Sequence, residues 1–156
     1  MISTIQRKCR AAMKTMLVKD WMTTEVITIT PDTTLPDAAA LMRENNIRRL
    51  PVVDRGVLVG IVSHTDVVEA KPSDATTLDI WELNYLLSRL RVEKIMTRNP
   101  YTVREDSTIR DAAQIMYDHK IGGLPVVDDT HHVVGIITES DIFRILIEWL
   151  NENQQP

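Results

Sequence analysis

Short β-branched runs alternate with stretches whose apolar residues recur every three or four positions, and the whole alternation occurs twice along the chain. Val26-Ile27-Thr28-Ile29, followed by Pro31-Asp32, predicts a strand that ends in a turn. Thr34-Leu35-Pro36-Asp37 then predicts a helix start: a threonine cap, a proline in the first turn and an acid three residues after the cap. The helix carries Ala38, Leu41, Met42 and Ile47 on one stripe. Leu50-Pro51-Val52-Val53-Asp54 and Val57-Leu58-Val59-Gly60-Ile61-Val62 predict two strands joined at Asp54-Arg55-Gly56. Both runs are continuously apolar, so both faces of each are expected to be covered. A second helix is predicted from Ser63. The order is strand, helix, strand, strand, helix.

The same order returns about 74 positions later. Tyr101-Thr102-Val103 answers to the first strand, Thr108-Ile109-Arg110-Asp111 to the helix start, and Ala112, Ile115, Met116 and Ile121 to the stripe. Leu124-Pro125-Val126-Val127-Asp128 answers to Leu50-Pro51-Val52-Val53-Asp54, Gly135-Ile136 to Gly60-Ile61, and Met96 to Met22. The final helix of this copy, Ile142 to Leu150, is too apolar to stand alone in water and predicts packing on its sister helix or on another subunit. Two copies predict a closed pair with pseudo-twofold clefts, in one globule of the α/β (α+β) class with helices packed on sheets. The divisions expected are an unstructured extension at 1–17, repeat one at 18–70, a linker at 71–91, repeat two at 92–150 and a tail at 151–156. Within the linker, Lys71-Pro72-Ser73-Asp74 breaks the chain and Thr76-Thr77 is expected to cap a helix through Leu90. Ile80, Leu83, Leu87 and Leu90 form its apolar stripe, and Trp81 and Tyr85 an aromatic edge that fits either a cover over the core or a dimer interface.

At 156 residues, 44% hydrophobic and 26% charged, the chain has the composition of a soluble domain. The net charge of −4 argues against a general nucleic-acid binder, which needs a basic face. No apolar run approaches the roughly 20 residues of a membrane span. Cys9 is the single cysteine, so no disulfide framework is expected and the protein fits a cytoplasmic location. Residues 1–15 carry Arg7, Lys8, Arg10 and Lys14 with no acid, an extension without order or a basic surface-binding arm.

After each glycine-bearing strand come a hydroxyl, a second hydroxyl two residues on, and an aspartate: Ser63-His64-Thr65-Asp66 and Thr138-Glu139-Ser140-Asp141. The pattern admits two readings. Each is a helix cap with an acid at the third helical position. Each is also a phosphate site, with unpaired helix N–H groups and a hydroxyl beside an aspartate able to accept both hydroxyls of a ribose.

Met-Thr ahead of the first strand, Leu-Pro-Val-Val-Asp, and a glycine-led Ser/Thr-x-x-Asp, each present twice, resemble the CBS domain pair, or Bateman module. The resemblance spans Val18 to Ala70 and Val92 to Leu150. It implies paired repeats that bind adenosine compounds (AMP, ADP, ATP or S-adenosylmethionine), regulate a partner protein and dimerise into a disc of four repeats. It implies ribose binding at Asp66 and Asp141, and phosphate contacts from Ser63, Thr65, Thr138 and Ser140. Arg48 and Arg49, just before the first Leu-Pro step, are expected on the phosphates, since adjacent guanidiniums form charge-assisted bonds to them. A solvated helix end is the other reading of that pair. The second copy has Gly122-Gly123 there instead. Val26 and Ile27 in one cleft, and Pro100 and Tyr101 in the other, are expected beside the base.

No catalytic residue, metal site or catalytic cofactor is expected: His64, His119, His131 and His132 lack the spacing of a metal or acid–base site, and neither a glycine-rich phosphate loop nor a nucleophile elbow is present. The leading expectation is a cytoplasmic, homodimeric sensor of AMP, ADP or ATP that signals to an effector protein. The alternatives are a ligand-independent dimerisation scaffold and an S-adenosylmethionine-binding module.

Overall fold

The computed structural model describes residues 16–70 and 79–152. The basic N-terminal segment up to residue 15, the break at Lys71 to Asp74 and the expected cap at Thr76-Thr77 lie outside them.

The helix starts fall where the caps are. Thr34 accepts a hydrogen bond from the Asp37 N–H at 3.2 Å ahead of α1 (Leu35–Glu44). β1 (Arg49–Asp54) and β2 (Val57–Ser63) follow as an antiparallel hairpin, and Ser63 caps a short α2 (His64–Glu69). α3 (Ile80–Arg89) begins at Asp79, whose N–H donates to the Glu82 carboxylate at 3.2 Å. β3 (Thr97–Arg98) pairs with β2, setting Arg98 opposite Gly60 and Thr97 opposite Ile61. In the second copy Thr108 caps α4 (Ile109–His119), accepting from the Asp111 N–H at 3.1 Å. β4 (Gly123–Val127), β5 (Val133–Thr138) and α5 (Glu139–Glu152) complete the order. α5 thus runs past the expected repeat end at Leu150.

The described residues divide into two compact units, and these exchange their lead-ins relative to the repeats. One unit is Ile27–Pro100; the other joins the residues up to Val26 with those from Tyr101. In the first, the turn Val92–Lys94 docks on the start of α1: the Val92 N–H donates to the Thr33 carbonyl and the Leu35 N–H to the Leu90 carbonyl. In the second, the turn Val18–Asp20 docks likewise on α4, through Val18 N–H to Ser107 O and Ile109 N–H to Met16 O. Val92 joins Ala38, Met42, Leu50, Val52 and Val62 in one core, and Val18 joins Ala112, Met116, Leu124, Val126 and Ile137 in the other.

Each lead-in methionine covers a glycine. A Cβ added to Gly60 would lie 2.6 Å from Met96 Sδ and 3.1 Å from the Thr97 carbonyl, and one at Gly135 would collide with Met22 Sδ. The glycines are required by close approach. Gly60→Ala is therefore expected to cost about 1–3 kcal/mol of stability through overpacking. Combining it with Met96→Ala should cost less than the two changes summed, because the pair is in contact; strict additivity in urea unfolding would count against the interlock.

Two expectations need correction. The first strand of each repeat is not a strand but a single parallel bridge, Ile29 to Val52 and Val103 to Val126. Ile29 donates to the Pro51 carbonyl and accepts from the Val53 N–H, but the next bond back would need an N–H from Pro51 and the next one on an N–H from Pro31. Prolines bound the ladder; Pro125 does the same on the leading side in the second copy. The strands are also not all buried on both faces. β4 is buried throughout, whereas β2 alternates, with Leu58, Gly60 and Val62 buried and the residues between them half-buried. Among the apolar residues of α5, Ile145 and Trp149 are buried while Phe143 and Ile147 are exposed; Trp81 on α3 is 78% exposed.

Candidate functional site

Strand register gathers the first repeat's candidate residues. Arg49 at the start of β1 lies directly opposite Ser63 at the end of β2. The Arg48 carbonyl accepts the His64 N–H at 2.8 Å, so the arginine pair is tied to the first turn of α2. There Asp66 turns back on Ser63: its Oδ2 accepts from the Ser63 N–H and hydroxyl, both at 2.7 Å, while the Asp66 N–H donates to Ser63 Oγ at 3.2 Å. The capping arrangement is complete and consumes Oδ2. Asp66 is half-buried, Arg48 and Thr65 are exposed, and Arg49 is half-buried. Ile27 packs against the core of this unit, and Val26 is half-buried beyond the unit boundary.

The second repeat repeats the frame with different chemistry. Gly123 lies opposite Thr138, and the Gly122 carbonyl accepts the Glu139 N–H at 3.1 Å. Asp141 Oδ2 accepts from the Thr138 N–H and hydroxyl, each at 2.9 Å. Its other oxygen, Oδ1, accepts from Arg144 at 3.2 Å. Arg144 also donates to the Trp21 carbonyl at 3.1 Å and lies 5.7 Å from the centre of the Trp21 ring. Sequence reasoning missed Arg144; an arginine three residues after an aspartate on a helix was the available signal. Ser140 is exposed and Pro100 half-buried. Tyr101, expected beside a base, is half exposed and stacks on His119, with ring centres 3.9 Å apart.

Of the histidines, His64 lies in the first turn of α2 and His119 stacks on Tyr101. In the β4–β5 turn, Asp128 Oδ1 accepts from the N–H groups of His132 and Thr130 and from the Thr130 hydroxyl, at 2.8–2.9 Å. The His132 N–H bond first, then the Thr130 hydroxyl, hold the Asp128 carboxyl below its ordinary value of 3.8. A depressed carboxylate stabilises the fold at pH above its unfolded value and loses that contribution as pH falls through the folded one. The Asp128 carboxyl carbon is expected to titrate below pH 3.8 in NMR, with the Thr130 and His132 amides losing protection over the same interval. A midpoint at or above 3.8 would contradict the turn geometry. Among the described residues no group of three His, Cys, Asp or Glu side chains could hold a metal ion, and no helix is long and apolar enough to cross a membrane.

Two copies of one helix-and-hairpin frame, each with a hydroxyl–aspartate cap after its second hairpin strand, define a paired-repeat module. The chain belongs to the CBS domain family, whose model matches residues 18–73 and 92–148. It is 38% identical over 135 residues to protein MJ1225 of Methanocaldococcus jannaschii, a match covering 82% of this chain and 46% of that protein. Among solved structures, the CBS domain pair of protein MJ0100, crystallised with 5′-methylthioadenosine and S-adenosyl-L-methionine, is 36% identical with a TM-score of 0.70; the match covers 83% of this chain and 94% of that one. CBSX2 of Arabidopsis thaliana, crystallised with AMP, is 30% identical with a TM-score of 0.71, covering 85% of this chain and 97% of that one. The chain thus spans about half the length of MJ1225 but nearly all of the two solved pairs.

Proposed function

We propose that this protein is a regulatory module, not an enzyme, that binds an adenosine nucleotide and signals its occupancy to an effector protein. The observation that carries the reading is the register that sets Arg49 opposite Ser63 while the Asp66 carboxylate closes on the same serine. Around that turn Asp66 would serve as the diol acceptor, Ser63 and Thr65 as hydroxyls, and Arg48 and Arg49 as guanidiniums. Those are the groups that a ribose with an attached phosphate requires. Ile27, in the same unit, supplies apolar surface for the base. The second repeat offers Asp141, Thr138 and Ser140, with Tyr101 in the same unit for a base, and glycines where the first has arginines. The ligands named for MJ0100 and CBSX2 share an adenosine core, which supports adenosine as the recognised unit. AMP, ADP or ATP is favoured over S-adenosylmethionine, because Arg48 and Arg49 attract phosphate and oppose a sulfonium cation. The protein acts as a cytoplasmic homodimer, and binding works as a signal to the extent that the nucleotide prefers one conformation over another.

One observation favours a second reading. Both aspartates use Oδ2 as a cap, which is what a ligand-independent dimerisation scaffold would need of them. A thermal-shift series with AMP, ADP, ATP, S-adenosylmethionine and GTP separates the two. An adenosine compound at ~100 times its Kd is expected to add about 2.7 kcal/mol of stability, with GTP inert. No shift with any of them would leave the scaffold reading standing.

A further inference from the structure

We infer that Arg144 closes the second repeat's aspartate to ribose, so that each chain takes up one nucleotide, in the first repeat. The inference rests on the functional reading above and concerns its stoichiometry and selectivity. In both repeats the cap spends Oδ2 of the aspartate on two hydrogen bonds, which leaves Oδ1 as the oxygen for a vicinal diol. In the second repeat Oδ1 already accepts from the Arg144 guanidinium at 3.2 Å. Three contacts hold that guanidinium: Asp141, the Trp21 carbonyl at 3.1 Å, and the Trp21 ring. Cation–π attraction and charge-assisted bonding act together on it. A ribose must displace the guanidinium from Oδ1, or share the oxygen with it, before it can bond there.

In the first repeat, among the described residues, the hydrogen bonds of the Asp66 carboxylate are those to Ser63, both through Oδ2. Asp66-Val67-Val68-Glu69 aligns with Asp141-Ile142-Phe143-Arg144, so Glu69 stands where Arg144 would be. An ionised carboxylate has no proton to donate to another. The arginines add to the contrast, since Arg48-Arg49 flank the unobstructed aspartate and Gly122-Gly123 the obstructed one. Both differences favour the same repeat. Arg144 is a selectivity residue that acts through Asp141.

Isothermal titration of the full chain with AMP tests this. The parent is expected to bind one equivalent, lost in Asp66→Ala. Arg144→Ala and Arg144→Met should each gain a second equivalent, and adding Asp141→Ala to either should remove it. The methionine variant keeps the length of the side chain should the alanine variant fold poorly, and circular dichroism checks both. A parent that binds two equivalents, or folded Arg144 variants that stay at one, would overturn the inference while leaving nucleotide binding intact. Absence of AMP binding in the parent would overturn the functional reading and the inference with it.

Discussion

Asp66→Ala is expected to weaken AMP binding by at least about 100-fold and to cost about 1 kcal/mol of stability. The two effects come from different oxygens. Hydrogen bonds to a charged acceptor contribute about 1.5–3 kcal/mol each, so losing two ribose contacts removes roughly 3 kcal/mol or more of binding, and 1.4 kcal/mol is tenfold. The stability loss follows from the cap, where Oδ2 holds the Ser63 N–H and hydroxyl. Thr34→Ala gives the comparison, because it removes a helix cap of the same kind at a position with no role in the proposed nucleotide site. Calorimetry and urea unfolding on both variants give the answer. Equal AMP affinity in Asp66→Ala and the parent, beside the expected stability loss, would assign the aspartate to capping alone.

Leu124→Ala is expected to cost about 2–5 kcal/mol of stability. Leu124 is fully buried, and every residue of its strand β4 is buried as well. Truncating a side chain in such a setting removes its transfer free energy and leaves a cavity that a covered strand can collapse into only partly. Its counterpart Leu50, also fully buried, belongs to a strand that ends half-buried and exposed at Val53 and Asp54, so its loss is expected toward the lower end of the range. Trp81→Ala supplies the contrast: with 78% of its surface exposed, the change should stay within about 0.5 kcal/mol. A Leu124→Ala cost below about 1 kcal/mol in urea unfolding would remove the basis for placing the core there.

Local chemistry was legible in the sequence because it acts over three or four residues. Thr34 with Asp37, Thr108 with Asp111 and Ser63 with Asp66 could be read as caps, and each is one. The hairpins followed from apolar runs broken by turn residues. Truncation of the first strand was written in Pro31 and Pro51, but it takes the parallel register to show that both prolines fall on the bonds that would extend the ladder. The alternating burial of β2 depends on what covers each face, which an uninterrupted apolar run does not reveal. Half of the Arg144 contact was within reach, three residues from Asp141. The other half, the Trp21 carbonyl, lies 123 residues away in sequence.

The lead-in exchange bears on how such a chain could have arisen. Val18 completes the core that holds the second repeat's helix and hairpin, and Val92 completes the core that holds the first's. A single ancestral copy, with its own lead-in built to cover another copy's helix start, would have needed a twin to become whole. Gene fusion of two such copies turns reciprocal donation between molecules into donation within one polypeptide and frees completion of the cores from protein concentration. Once fused, the halves were no longer bound to remain identical. One carries Arg48, Arg49 and Glu69 where the other carries Gly122, Gly123 and Arg144, a difference that a symmetric pair of separate chains encoded by one gene could not hold.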